Sequence, residues 1–462
     1  MVSEFARRIV VVGTGYVGLT TGACLASLGH RVICADVDRS KVERLQVGKI
    51  DIREPGLAEM VGEMLAAGRL SFVTGARAAL DELRSDGMPC EVLFVCVPTP
   101  MGIGGIADLS AVEAVVDEVR EVLPAGAIVV NKSTVPVGTG ERTAELIDRP
   151  DVAVVSNPEF LREGSGVHDF LHPDRIIVGS NAQDAAERVA ALYARLGAPT
   201  VLTDLASAEM IKYAANCFLA TKLSYVNAIA ELCERLGADV EDVTEGLGYD
   251  KRIGQSYLSP GPGWGGSCLP KDTSALLQLA DSVDFEFRLL RAAIETNTRQ
   301  SRRILEKIQT AVTGKRNGSL TRKRIALLGL AFKAGTSDLR DSPALAVAAL
   351  LRQAGAELQA FDPAIRADDP MLNGAGFDGD LLTVVDDPYV AAKDADALVV
   401  LTEWPEFRGL DWPRLATVVR QAIVVDTRNL VDPDVLRRAG FSWIAVGRSP
   451  RLAGNIVGDG DA

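Results

Sequence analysis

Histidine is scarce in this sequence: three residues in 462. That scarcity argues against a metal centre built on imidazole. Cysteine is sparse too, with seven scattered residues, no Cys-x-x-Cys pair and no Cys/His spacing of the zinc kind. An odd, dispersed set reads as free thiols, mostly buried, in a reducing compartment, so a cytoplasmic location is expected. Long apolar runs are missing. No stretch of about 20 apolar residues exists to span a bilayer. Residues 1–8 lack a signal-peptide core, and the apolar run 9–12 is too short for one. Positive charge is also in deficit, with a net charge of −13. Such a field repels phosphate, so no nucleic-acid or membrane partner is expected, and any phosphate ligand needs a local site. What remains is an ordinary globular composition, 47% hydrophobic and 24% charged. At this length it implies two or three domains with sizeable cores.

Up to about residue 200, short β-branched runs alternate with helical patterns. The runs are 9–12, 31–35, 92–97, 128–131, 152–156 and 175–179. Continuous apolar runs separated by helices predict a parallel sheet covered on both faces, a doubly wound α/β domain over residues 1–203. Residues 205–236 then keep helical spacing without proline or glycine, with Asp204 as N-cap and Gly237 as stop. A helix of that length spans about 48 Å. It is expected to bridge domains or form a subunit interface. The helical region runs over 204–312 and contains a tight Gly/Pro loop at 259–266. After a polar linker at 313–321, strands are expected at 324–328, 357–361, 397–401 and 423–426, with a helix at 343–354. This third region is assigned to 322–454, and the tail beyond Gly454 is expected to be disordered.

The run 9–12 leads straight into Gly13-Thr14-Gly15-Tyr16-Val17-Gly18, a helix follows, and a second strand ends at Asp36. A Gly-x-Gly-x-x-Gly string alone is weak, but this one has a strand before it, a helix after it and an acid at the required distance. Gly13 makes the tight turn, Gly15 admits the backbone to a pyrophosphate, and Gly18 lets helix pack on strand. The helix N-terminus faces the anion. Asp36 suits ribose hydroxyls and repels a 2′-phosphate, favouring NAD over NADP, with Arg39 near enough to soften that preference. FAD uses the same fingerprint. The predicted fold class is therefore α/β: two Rossmann-like, doubly wound parallel-sheet domains joined by a long central helix, the second without the glycine fingerprint.

A solitary cysteine is usually a buried apolar residue, and Cys24, Cys34, Cys90, Cys96, Cys217 and Cys233 fit that pattern. Cys268 differs. It lies in a loop of small residues, Gly265-Gly266-Ser267-Cys268, just before a helix and close to Lys271. Each feature favours a thiolate. Asp272 is placed to act as a base or to orient water. Lys212 and Asn216 are four residues apart on the long helix and share a face. A helical lysine is ordinarily solvated, but Met210, Ile211, Tyr213 and Ala214 surround this one. The loop after 128–131 carries Thr134, and the next strand ends in 157–164 (NPEFLREG) with Glu159. Loops at the carboxyl edge of such a sheet bind ligands.

Together these segments resemble the UDP-glucose 6-dehydrogenase family. The strings that carry the resemblance are GTGYVG, STVPVGT, NPEFLREG, the helix around Lys212 and Asn216, GWGGSCLPKD, and FKAGTSDLRDSP at 332–343. They occur in family order along nearly the whole chain. The resemblance implies a four-electron oxidation of a sugar C6 alcohol with two NAD molecules, through a thiohemiacetal and a thioester on Cys268. By the same resemblance, Lys212, Asp272, Asn216, Thr134 and Glu159 share the catalysis. Tyr16, Val17, Lys41, Thr99, Thr134, Glu163, Lys271 and Arg340 join Gly13, Gly15, Gly18 and Asp36 on the cofactor. The nucleotide sugar, UDP-glucose in the first instance, would meet Glu159, Phe160, Leu161, Arg162, Glu163, Lys212 and Asn216. It would also meet Tyr257, Leu258, Ser259, Gly261, Gly265, Lys333 and Arg428, with Arg252 reaching a neighbouring subunit of a homodimer. The three regions become an NAD-binding domain, a central dimerisation region and a nucleotide-sugar-binding domain. Trp264 stands where the family often has a smaller aromatic. No metal ligand is implied. Three rivals remain: a GDP-mannose or UDP-N-acetyl-hexosamine dehydrogenase, a two-electron hydroxyacid dehydrogenase, which needs no cysteine, and an NAD-binding protein without catalysis.

Overall fold

In the computed structural model, which describes residues 6–102, 105, 107–374 and 382–450, the chain forms two compact units. One comprises Met1–Ala215 with Ser274–Phe285, the other Asn216–Thr273 with Glu286–Ala462. The tail beyond Gly454 lies outside the described residues.

The first unit is organised by eight strands: β1 (Arg8–Val12), β2 (Arg31–Asp36), β3 (Leu70–Thr74), β4 (Val92–Val95), β5 (Ile128–Asn131), β6 (Ala153–Ser156), β7 (Ile176–Gly179) and β8 (Thr200–Thr203). Their order is β3-β2-β1-β4-β5-β6-β7-β8. β1 shows why so apolar a run becomes a central strand. Ile9 and Val11 pack into one hydrophobic cluster, Val10 and Val12 into another, because side chains alternate across the sheet. The chain reverses its winding between β1 and β4, which places the crevice beyond their carboxyl ends, next to the glycine fingerprint. All pairings are parallel except β6 with β7, joined antiparallel through Ser156 and Gly179.

The second unit carries a six-stranded sheet of β9 (Arg324–Leu328), β10 (Glu357–Phe361), β11 (Thr383–Val384), β12 (Ala397–Val400), β13 (Ile423–Asp426) and β14 (Ser442–Ala445). The order is β11-β10-β9-β12-β13-β14, parallel throughout. Its central strand repeats the logic of β1, with Ile325 and Leu327 on one face and Ala326 and Leu328 on the other. The helix Pro343–Gln353 starts on Pro343, with Ser342 accepting from the Ala344 N–H. The helix Leu205–Leu236 runs the predicted length, and the division between the units falls within it. Asp204 caps it by accepting from the Ser207 N–H at 2.7 Å, and Gly237 follows with φ +76°.

The four strands absent from the sequence reading, β3, β8, β11 and β14, are the four sheet edges. An edge strand is covered less completely and needs no continuous apolar run. β8 is almost wholly exposed and β11 is two residues long.

Candidate active site

The cofactor side belongs to the first unit. Gly13 has φ +93°, and a Cβ there would run into the Cys96 carbonyl oxygen. A Cβ on Gly18 would collide with the Gly13 carbonyl oxygen, so the start of the helix Tyr16–Ser27 can close on β1 only if that position is bare. Gly15 is different: a Cβ there meets nothing within 4 Å among the described residues. Its bareness serves the space outside the fold, which is what a pyrophosphate approaching the backbone requires. Asp36 ends β2 and accepts from the Thr14 N–H (2.9 Å), the Thr14 hydroxyl (2.5 Å) and Lys41 Nζ (3.1 Å). Burial works to raise its pKa. The hydrogen bonds from Thr14, Asp38 and Lys41 outweigh that and bring it to about 2. The carboxylate is thus a fixed anion, suited to two ribose hydroxyls. The cation that tempers it is Lys41. Arg39 instead pairs with Glu43 in solvent, which corrects the expectation placed on it. These residues fit a dinucleotide.

At the carboxyl edge of β5 and β6 the same unit gathers more predicted residues. Thr99 donates to the Thr134 carbonyl at 2.8 Å. Lys212 is buried, and its Nζ contacts Glu159 twice, at the carbonyl (2.5 Å) and at Oε1 (2.9 Å). Glu159 Oε2 accepts from the Leu161 N–H, which curls the 157–164 turn around its own carboxylate. Phe160 lies 5.2 Å under Lys212 Nζ and 3.6 Å from the Arg175 guanidinium. The Tyr16 hydroxyl donates to the Arg162 carbonyl, tying the glycine helix to the turn that carries Glu163. Arg162 itself is held by Asp169 in a forked pair. A small cleft opens among Thr134, Ser156, Pro158, Lys212 and Glu209.

The cysteine side belongs to the second unit. Cys268 is exposed, whereas the other six cysteines are buried. Burial raises the thiols of Cys24, Cys90, Cys96 and Cys217 to about 12, leaving them inert. Ser267 Oγ lies 3.5 Å from Cys268 Sγ. The helix Leu269–Ser282 begins at once, and the Asp272 N–H closes its first turn on the Cys268 carbonyl. Lys271 is spent on Asp272 at 2.7 Å, so its cation is shared with a carboxylate rather than reserved for the thiol. Asp272 is fully buried and also accepts from Asn216 Nδ2 at 2.6 Å.

Behind Cys268, the glycine loop is pressed onto the 332–343 segment. A Cβ on Gly265 would strike the Asp341 carbonyl, Gly266 donates to the Arg340 carbonyl, and Phe332 packs against Gly266. Arg428, just past β13, donates to the carbonyls of Leu401 and Phe332, pairs with Glu403 and brings its guanidinium to Gly261. Lys333 Nζ stands 5.8 Å over the Phe332 ring. Leu258 is buried, Ser259 is exposed and Tyr257 has φ +62°. Arg340 is half exposed and doubly bonded to Asp338. Arg252 extends into solvent with Asp250. Trp264 is buried, its indole N–H on Ser224 and its main chain on Asn297, so it packs within the unit.

Three family models match in succession. They are the NAD binding domain of the UDP-glucose/GDP-mannose dehydrogenase family over residues 7–197, its central domain over 206–299 and its UDP binding domain over 326–433. The chain belongs to the UDP-glucose/GDP-mannose dehydrogenase family. Among curated members, a UDP-glucose 6-dehydrogenase of Bacillus subtilis (strain 168) is 42% identical over 98% of this chain and 95% of its own. Another from Rhizobium meliloti (strain 1021) is 43% identical over 96% and 99%. The solved structure of a UDP-glucose dehydrogenase from Pyrobaculum islandicum matches with TM-score 0.84 at 36% identity, covering 96% of this chain and 98% of that one. As a member of this family the chain is an NAD-dependent oxidoreductase. No helix among the described residues is long and apolar enough to cross a membrane.

Two residues of this family member escaped the sequence reading. Glu209, one turn before Lys212, is buried and accepts from the Gly138 and Gly140 N–H groups and from Ser156. Burial raises its pKa. It holds the loop that carries Thr134. Its signal was present as a lone carboxylate in an otherwise apolar helical stretch. Lys132 is buried directly before Ser133 and Thr134, one residue outside the STVPVGT string.

Proposed function

We propose that this chain oxidises the C6 alcohol of UDP-glucose to a carboxylate, consuming two NAD and one water per sugar. The observation that carries the covalent route is the contrast between exposed Cys268 and six buried thiols. The curated relatives quoted above, both named UDP-glucose 6-dehydrogenases, support the sugar.

NAD, when bound, supplies the hydride acceptor for each oxidation. Gly15 admits its pyrophosphate, in a turn that Gly13 and Gly18 allow to close, and Asp36 takes its ribose hydroxyls. Asp272, with Lys212, accepts the proton of the alcohol. The Cys268 thiolate adds to the aldehyde carbon, forming a C–S bond, and the carbonyl oxygen becomes the alkoxide of a thiohemiacetal. Lys212 and Asn216 stabilise that oxyanion. After the second oxidation the carbon is a thioester. Water, positioned by Thr134 and Glu159, adds to it, the C–S bond breaks, and Cys268 leaves as thiolate. The balance is one alcohol, one water and two NAD giving one carboxylate, two NADH and three protons. Lys333, Arg428 and the 257–265 loop bind the nucleotide end.

The enzyme acts as a homodimer in the cytoplasm, where free thiols stay reduced. The helix Leu205–Leu236 exposes Phe218, Tyr225 and Leu232, seven residues apart, a seam suited to a second copy of itself. Arg252 is then available to the neighbouring subunit.

The test is NADH formed per UDP-glucose consumed, for wild type and Cys268→Ser. Two NADH per sugar, with turnover lost in the variant, support substrate and route together. One NADH per sugar from an active Cys268→Ser enzyme would sink the covalent route. No NADH with UDP-glucose, but turnover of GDP-mannose or an N-acetyl sugar, would move the substrate and keep the chemistry.

A further inference from the structure

We infer that Lys132 is a positioning residue whose buried ammonium fixes Asn157 and, through it, the turn from which Glu159 meets Lys212. The inference rests on the function proposed above, which assigns Glu159 and Lys212 to the reaction.

The geometry is a closed network within the first unit. Lys132 Nζ donates to Asn157 Oδ1 at 3.0 Å and to the Tyr193 hydroxyl at 3.4 Å. The Tyr193 hydroxyl donates to the same Asn157 oxygen at 2.6 Å. The other end of Asn157 donates to the Ile177 carbonyl at 2.7 Å, and its main-chain N–H to the Asn131 carbonyl. Asn157 is thus locked between β5 and β7. Pro158 stiffens the next step, and the residue after it presents both its carbonyl and its carboxylate to Lys212.

No carboxylate pairs with Lys132 among the described residues, and its charge is met by neutral oxygens and by the rings of Phe170 and Tyr193, 5.9 and 5.4 Å away. A buried cation with such partners is costly, and a methionine would fill the same volume without that cost. The charge is therefore tied to what it holds. The ionisable groups facing it are Cys96 from the end of β4, Glu159 from the turn after β6, Lys212 from the long helix and Tyr193 itself. Burial lowers the Lys132 pKa to about 8, with Lys212 lowering it further and Cys96 and Glu159 opposing. Below that pH the ammonium grips Asn157 and repels the Lys212 cation across Glu159. Above it both effects fade.

The experiment measures kcat and KM for wild type, Lys132→Met and Tyr193→Phe from about pH 6 to about pH 10, with thermal melting and NAD binding in parallel. The expected result is a break in log kcat near pH 8 in wild type. It should be absent in Lys132→Met, whose kcat falls about tenfold at neutral pH while both KM values move less than about threefold. Tyr193→Phe, which removes one hydroxyl, should shift the break and carries the test if Lys132→Met does not fold. An unchanged break in a folded Lys132→Met, or in Tyr193→Phe, overturns the inference and leaves the proposed function standing. If wild type oxidises a different nucleotide sugar, the same profiles are measured with that sugar. If it oxidises none, both readings fall together.

Discussion

Asn216 donates to one oxygen of the Asp272 carboxylate at 2.6 Å, and Lys271 stands 2.7 Å from the other. Asp272 is therefore pinned at both ends in a site without solvent exposure. Removing the carboxylate as Asp272→Ala strands the Lys271 cation and should cost about 3 kcal/mol of stability, read as a lower denaturant midpoint. Asp272→Asn keeps the volume and loses only the charge. Its kcat should fall about a hundredfold or more if the carboxylate takes a proton. A kcat within about threefold of wild type would make Asp272 a strut for Asn216 and Lys271 and nothing more.

Gly15 and Gly18 make opposite predictions although they belong to one motif. Gly18→Ala drives a methyl into the Gly13 carbonyl, so the free protein itself should lose about 1–3 kcal/mol. Gly15→Ala meets open space, so melting of the free protein should stay within about 0.5 kcal/mol of wild type. Its loss should appear only when NAD is titrated. Equal melting losses for the two variants would contradict the assignment of Gly15 to the ligand.

The pairing of Lys41 with Asp36 bears on coenzyme choice. Asp36→Ser removes a fixed negative charge and releases an ammonium at the same place. A 2′-phosphate would then meet a cation where it had met an anion, a change of about 3 kcal/mol. The ratio of kcat/KM for NADP over NAD should rise about a hundredfold. Asp36 also contributes to acid stability. Its folded pKa of about 2 lies below its ordinary 3.8, so the stabilisation is fully present above 3.8 and disappears as pH falls through 2. The stability gap between wild type and Asp36→Asn should narrow over that window.

The buried centre of each sheet was legible because both faces demand apolar side chains. β5, β9, β10 and β13 fall on the residues that the apolar runs predict. The edges were not, since β8 (TVLT) has the composition of a loop. The reversal of β7 was hidden as well, because an apolar strand reads the same in either direction. Within the site, Gly13, Gly15, Gly18 and Asp36 could be read from spacing, since helix, strand and acid sit at fixed distances along the chain. Glu209 showed only as a lone acid in an apolar stretch, and what Glu209 and Lys132 hold could not be read, since their partners Gly138 and Tyr193 lie 71 and 61 residues away. Sequence order cannot reveal such pairs. The same holds for Gly265, whose bareness is required by Asp341 in a distant loop.

The exposed seam on the long helix yields a last prediction. Phe218, Tyr225 and Leu232 are large apolar residues, each about half exposed or more, on a helix whose opposite face supplies Lys212, Cys217 and Ala220 to buried surroundings. Burying the exposed half to two-thirds of these three side chains against a second copy should contribute about 1–2 kcal/mol each on either side of the two-fold axis. Phe218→Glu together with Tyr225→Glu places four carboxylates in that seam and should convert the species seen by sedimentation to a monomer. The fold should survive, because neither side chain contributes to the core of its own chain. NAD binding should also survive, since Asp36 and the glycine turn lie on another element. If Arg252 serves the neighbouring subunit, UDP-glucose turnover falls with the monomer, and an Arg252→Ala dimer reproduces that loss. A doubly substituted protein that remains dimeric would remove the helix from the interface.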